Sequence, residues 1–314
     1  MRKKRNPYKK KLLAKHSSVK RFIAAAVMFC AVVVALLTAT VFYRRYEEDK
    51  RKQAVLKSMI PPYYDPKVFF TPKDILQSRL SQDTIKIPAR FDIPVLMYHY
   101  VEYVKDLDDI VKIKLDILPH VFESQIKTLH DNNFKTYFVK DIPEIINSNI
   151  IPSKKSVVLT FDDGYEDFYT VVYPILKKYQ MKATVYVIYD YIGWKGFMNE
   201  SQIKEIASSN LVEIGSHTLD HVYLKSVVKD LAEKQIKNSK VLLEQMFGFP
   251  VYTFAFPYGA FSQESLDIVK EAGYTAAVSV ISGSEQSETN LFYLSRLRPG
   301  IFNSRFASQI VNTK

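Results

Sequence analysis

The sequence predicts an α/β domain built on a parallel sheet, open or closed into a barrel. From Ile93 onward, short apolar, β-branched or aromatic runs alternate strictly with longer amphipathic segments. Residues able to do chemistry fall just after several of those runs, at the strand ends where parallel sheets place their sites. The chain has 314 residues, 47% hydrophobic and 25% charged, enough for one large α/β domain with additions and unlike a disordered chain.

Seven strands are expected, at residues 94–98, 134–138, 156–161, 182–188, 211–215, 251–256 and 274–280. Helices are expected between them, at 120–132, 142–147, 169–179, 200–208, 227–247 and 262–272. The helix at 227–247 carries acid-to-base pairs four residues apart, Asp230 with Lys234 and Glu233 with Lys237, as exposed helices often do.

The first 89 residues read differently. Residues 1–21 hold ten Lys and Arg and no acid. Residues 22–43 carry no charge, a run long enough to span the roughly 30 Å hydrocarbon layer as a helix. The basic segment before it predicts a cytoplasmic N-terminus and a single-pass cell-membrane protein whose remainder is extracytoplasmic. A cleaved signal is the competing reading, but the run exceeds the usual apolar core of about 7–15 residues and no small-x-small site follows. Residues 44–89 begin with a charge cluster, contain five prolines, and are expected to form a stalk. The domain is expected to occupy 90–314.

Charge and cysteine content exclude two classes. The formal charge of +11 suggests a nucleic-acid partner, but ten of the 44 basic groups lie in the first 21 residues. The other 34 face 33 acids, which is near neutrality, so no nucleic-acid partner is expected. A single cysteine, Cys30, inside the apolar run, excludes an intramolecular disulfide framework.

Four strand ends carry the chemistry. Residues 94–98 lead to His99, 156–161 to Asp162, Asp163 and Gly164, 211–215 to His217 and His221, and 251–256 to Pro257, Tyr258 and Gly259. Adjacent carboxylates on extended chain point opposite ways, so Asp162 and Asp163 suit different jobs, one toward a cation and one toward a proton. Turn chemistry is the plainer explanation of Asp-Asp-Gly. His217 and His221, on a helical turn, would share one face as zinc-binding histidines do, although such a pair is often structural. With a carboxylate they make a two-histidine, one-carboxylate set that leaves positions open. His16 lies in the basic tail, and His120 and His130 are expected to face solvent.

TFDDGYEDF (160–168), SHTLDH (216–221) and FPYG (256–259) resemble the polysaccharide deacetylases of carbohydrate esterase family four, the NodB-homology domain. PVLMYHYV (94–101) is similar to the opening strand of a subgroup, permuted in motif order, that deacetylates poly-N-acetylglucosamine. The resemblance spans roughly residues 90–300 and implies a distorted (β/α)7 barrel. It implies Asp163, His217 and His221 as metal ligands, Asp162 as general base, His99 as general acid, and the Tyr258 backbone N–H as a donor to the oxyanion. Such residue types suit amide hydrolysis, which needs an acidified water, a proton for the leaving amine and a donor for developing charge. Zinc is the default metal, with cobalt, nickel, iron or manganese also compatible with the ligand set.

The sequence departs from the commoner family pattern in two places. Phe254 and Ala255 stand where many relatives carry an arginine that orients the base, and no histidine follows His221. Arg296 or Arg298, in LSRLRPG, is a candidate for the missing contact; both being exposed is the competing reading. Tyr258, Pro257 and Trp194 are expected substrate contacts.

The expected activity is therefore hydrolysis of N-acetyl groups on N-acetylglucosamine units of an extracellular or cell-wall glycan, poly-N-acetylglucosamine first. Peptidoglycan is the second substrate, acetyl-xylan a more distant one, and a carbohydrate-binding protein without turnover the reading from another class. Membrane and acetylated polysaccharide are the expected partners, and a polysaccharide synthesis or export complex is consistent with that placement.

Overall fold

The computed structural model describes residues 90–148 and 155–299. The basic tail, the apolar run at 22–43 and the stalk lie outside the described residues, as does the end of the chain beyond 299. Among the described residues no helix is long and apolar enough to cross a membrane.

Strand β1 (Arg90–Asp92) leads into β2 (Val95–Tyr98), followed by helices α1 (Ile110–Leu115) and α2 (Pro119–Asp131). Then come β3 (Lys135–Tyr137), α3 (Ile142–Asn147), β4 (Ser156–Phe161), α4 (Tyr173–Tyr179), β5 (Ala183–Val187), α5 (Glu200–Ala207) and β6 (Val212–Ser216). Helices α6 (Lys229–Glu233) and α7 (Ser239–Phe247) precede β7 (Thr253–Ala255), α8 (Gln263–Glu271), β8 (Ala276–Ser282), β9 (Glu285–Ser287) and β10 (Leu294–Arg296). The main sheet runs β10-β8-β7-β6-β5-β4-β2, all parallel. Its two edges meet: Met97 N–H donates to Leu297 O (2.9 Å) and Leu297 N–H to Val95 O (2.8 Å). The result is a near-closed barrel of seven parallel strands, joined between β2 and β10 by a single bridge.

Alternation along each strand divides two apolar layers. On β4, Val157, Leu159 and Phe161 pack outward under the helices, while Val158 joins the inner cluster with Val95, Tyr186, Ala255, Val278 and Leu294. With both faces covered, the strands read as near-continuous apolar runs. Strands β1 and β9 pair antiparallel as a separate ribbon, and Phe91 and Ile93 extend the inner cluster.

Seven is the expected ring size, but membership differs from the sequence reading. Residues 134–138 supply only β3, which lies between the starts of β4 and β5: Lys135–Tyr137 pairs with Ser156–Val158, and Lys182 N–H donates to Thr136 Oγ1 at 2.8 Å. The seventh ring strand is β10, three residues with an arginine at its end, too short and too polar to register as a strand in the sequence. The expected helices at 169–179 and 227–247 form, each with a π-helical turn, at Phe168–Val172 and Lys234–Asn238. In the second, Lys237 Nζ lies 3.0 Å from Glu233 Oε1.

Candidate active site

The ends of β2, β4, β6, β7 and β10 meet at one rim. After β4, Asp162 continues the ladder, its N–H donating to Tyr98 O at 3.0 Å. Asp163 and Gly164 then take positive φ (74° and 76°), which turns the chain off the strand. A Cβ at position 164 would come 3.0 Å from Val187 Cγ1, so glycine suits both the dihedral and the space. Both carboxylates are buried.

His217 follows β6. Its N–H donates to Val187 O (2.9 Å), and its Nδ1 lies 2.8 Å from Ala255 O. A carbonyl only accepts, so Nδ1 carries the proton and Nε2 presents a lone pair. His221 arrives by a tight turn, not the helical turn that the four-residue spacing suggests. Thr218 and His221 have positive φ (70° and 63°), His221 N–H donates to Thr218 Oγ1 (2.9 Å), and Gln235 Oε1 accepts from Leu219 and Asp220 (3.0 and 3.2 Å). The turn brings the two imidazoles to 4.9 Å between centroids. Non-glycine residues at positive φ cost on the order of 1–3 kcal/mol each, which the buried Gln235 contacts help to offset.

Asp163, His217 and His221 form the one group of metal-ligating side chains found among the described residues. Each Nε2 lies 3.3 Å from Asp163 Oδ1, a buried oxygen with no hydrogen-bond partner. Ligand atoms about 2.0–2.1 Å from a tetrahedral ion lie about 3.3 Å apart, so this set fits a divalent cation. Burial raises the Asp163 carboxyl's affinity for protons, but the two imidazoles, when they carry a proton on Nε2 in place of a cation, outweigh it and hold the group well below the usual carboxylate range.

Asp162 faces a different partner. Arg296 Nη1 and Nη2 donate to its two oxygens at 2.8 and 2.7 Å, while Nε donates to Ser279 O (2.6 Å) and Nη1 also reaches Thr160 Oγ1 (3.2 Å). The guanidinium is fully buried inside the barrel, and Arg298 is exposed. Burial would favour protonated Asp162; the Arg296 charge and hydrogen bonds reverse that and hold it ionised. His99 Nε2 stands 3.8 Å from Asp162 Oδ2, and burial lowers its proton affinity below the ordinary imidazole value despite both aspartates. Periodicity could point only to the neighbourhood of Arg296, because the contact crosses 134 positions.

Tyr258 sits at φ +58° in the turn after β7, its ring 4.5 Å from that of His221 and its side chain 44% exposed. Amides of Gly259 and Ala260 close that turn onto Phe256 O (2.8 Å) and Pro257 O (3.0 Å); the Tyr258 amide takes no part in these bonds. Pro257 is buried in the turn. Trp194, 59% exposed, lies in the loop after β5 and stacks on Tyr191 at 4.8 Å. His120 and His130 are exposed and away from this group. Sequence reasoning passed over Asp167, a buried carboxylate in the same loop as Asp162 and Asp163.

The polysaccharide deacetylase family model matches residues 149–277, a span that includes Asp162, Asp163, His217, His221 and Tyr258 but neither His99 nor Arg296. The chain is 33% identical over 232 residues to Bacillus subtilis (strain 168) YxkH, whose name assigns it provisionally to the polysaccharide deacetylases; the alignment covers 73% of this chain and 80% of YxkH. It is 31% identical over 189 residues to the poly-beta-1,6-N-acetyl-D-glucosamine N-deacetylase of Staphylococcus aureus (strain MRSA252), covering 56% of this chain and 65% of that enzyme. Among solved structures, the Streptococcus pyogenes deacetylase PplD in complex with acetate superposes with a TM-score of 0.61 at 31% identity, over 67% of this chain and 92% of that one. IcaB from Ammonifex degensii, at 21% identity and a TM-score of 0.62 over 70% of this chain and 96% of that one, shares the fold. A carboxylate and two histidines at the barrel rim, a relative aligned over most of its length and a shared barrel all lead to one assignment: the chain belongs to the polysaccharide deacetylase family, hydrolases of N-acetyl amide bonds in which metal dependence is typical.

Proposed function

We propose that this protein is a metal-dependent N-deacetylase acting on N-acetylglucosamine units of poly-N-acetylglucosamine, held at the outer face of a cell membrane by residues 22–43 with its N-terminus cytoplasmic. One observation carries the catalytic part: Asp163, His217 and His221 converge beside an Asp162 kept ionised by Arg296, with His99 near it. The similarity to the staphylococcal enzyme supports the substrate. The apolar run and the basic segment before it support the anchor.

Asp163, His217 and His221 would hold the cation, which when bound supplies positive charge that acidifies water and polarises the amide carbonyl. Zinc is the first choice for two nitrogens and a carboxylate oxygen. Asp162, anionic and pinned at both oxygens, accepts the proton of the attacking water. Arg296 fixes the carboxylate in direction and charge. His99 donates a proton to the departing amine nitrogen, and the burial that lowers its proton affinity favours giving that proton up. The Tyr258 amide is available to the oxygen on which negative charge develops. Trp194 and the Tyr258 ring offer flat apolar surfaces to sugar faces.

Acetate release by the full-length protein in detergent, on poly-N-acetylglucosamine, peptidoglycan and chitin oligomers, tests the reading. Activity is expected on the first, abolished by chelator and restored by Zn²⁺. Chelator-resistant release rejects the metal role; release from peptidoglycan alone rejects the substrate.

A further inference from the structure

Asp167 is a buried carboxylate, 8% exposed, and one of its oxygens, Oδ1, has no hydrogen-bond partner. The other, Oδ2, accepts the backbone N–H of Val101, which is itself fully buried. A buried carboxyl with an unpaired oxygen costs stability, most of all when ionised, and burial here pushes its pKa up to about 6. A core position would be better filled by an apolar side chain unless the acceptor has a task.

The task lies two residues before Val101, at His99. Strand β2 ends at Tyr98, and its ladder with β4 closes on Asp162 N–H to Tyr98 O. Past that point β4 has turned away at Asp163 and Gly164, so residues 99–102 have no neighbouring strand to bind them. Three contacts replace it: Asp167 to the Val101 amide, Asp116 Oδ1 to the Glu102 amide (3.0 Å), and Ile117 N–H to Tyr100 O (3.0 Å). The Tyr100 ring stacks on Tyr165 at 3.8 Å, within the loop that runs from Asp162 to Asp167. Asp167 thus ties the backbone carrying His99 to the loop carrying the two site aspartates.

We infer that Asp167 is a positioning residue: it grips the Val101 amide and so sets where His99 stands relative to Asp162 and the departing amine. The inference rests on reading His99 as the general acid. Displacing an acid should harm substrates whose leaving group needs a proton and spare those whose leaving group does not.

The experiment compares zinc-loaded full-length variants on an acetylated glucosamine oligomer and on 4-nitrophenyl acetate, whose phenolate leaves unprotonated. Asp167→Ala removes the acceptor. Asp167→Glu keeps it but lengthens the arm by one methylene, so that it should push the segment; Asp167→Asn keeps acceptor and length. Ala and Glu variants should lose about 10²-fold in kcat on the amide, with KM and ester hydrolysis changed less than about threefold, while Asn stays within about threefold on both. His99→Ala, run beside them, should show the same amide-selective loss. Equal loss on amide and ester in the folded Ala or Glu variant, or full amide activity in both, overturns the role of Asp167. If Ala does not fold, the Glu and Asn pair decides alone. If His99→Ala loses both activities equally or neither, the acid assignment fails instead.

Discussion

Arg296 and Asp162 meet through two near-parallel hydrogen bonds, 2.8 and 2.7 Å, across 134 positions of sequence and inside the barrel. The guanidinium's other contacts, Ser279 O and Thr160 Oγ1, lock its plane, so the carboxylate it grips has one orientation.

Breaking this pair should damage both turnover and stability. Arg296→Met leaves a buried carboxylate without its counter-charge, at a cost of about 3–5 kcal/mol. Asp162 should then take up a proton near neutral pH, with acetate release down about 10²-fold or more. Arg296→Lys should recover part of the stability and little of the rate, since an ammonium cannot make the paired contact. Arg298→Gln, at an exposed position, should match wild type in both thermal unfolding and turnover.

Neighbouring aspartates should separate cleanly. Asp162→Asn is expected to retain bound zinc and lose about 10³-fold in kcat, because it removes the proposed proton acceptor. Asp163→Asn should lose zinc at micromolar free metal, and activity with it. Metal content by atomic emission, measured beside acetate release, distinguishes them; loss of metal only in Asp162→Asn would mean that the two roles are exchanged.

Glu213 gives the fold a pH dependence away from the rim. It lies on β6, buried, accepting from Thr184 Oγ1 (2.7 Å), Thr253 Oγ1 (2.9 Å) and Lys140 N–H (3.3 Å), and burial raises its pKa to about 7. The folded state therefore binds this proton more tightly than the unfolded chain. Its contribution is fully present below about pH 4.5 and is lost as pH rises to about 7, by about 3 kcal/mol at most. Glu213→Gln cannot ionise, so its stability relative to wild type should rise across that window and level off above it. Paired urea titrations at pH 5 and pH 8 on the zinc-loaded proteins measure the difference.

Gly259 should tolerate no side chain. Its φ is +64°, and a Cβ would come 2.3 Å from Val280 Cγ2 on β8. Gly259→Ala is expected to cost about 1–3 kcal/mol and to displace the Tyr258 turn from the rim. Thermal unfolding and kcat should fall together, with zinc content unchanged.

Much of the site was legible because strand ends can be read from composition. An apolar run that stops at a histidine or an aspartate announces both the strand and the polar group beyond it, as at His99, Asp162 and His217. The HTLDH spacing was readable too, but its conformation was not: a helical turn and a tight turn with two positive φ values both bring His217 and His221 together. Strand β10 stayed hidden because three residues carry no periodicity, and Arg296 within it could be named only as one of two candidates, beside Arg298. Asp167 was hidden too, since an acid in a polar stretch resembles any solvated loop residue.

By itself, the sequence determined the alternation of strands and helices, the polar groups at the rim and a domain near neutrality once its basic tail is set aside. Tertiary structure alone decided which strand closes the ring, which arginine reaches Asp162, and how β2 is held past its last ladder bond. The physical reason is range. Periodicity and turn chemistry act over a few residues, whereas a buried ion pair or a carboxylate gripping a distant amide exists only when the barrel brings its partners together.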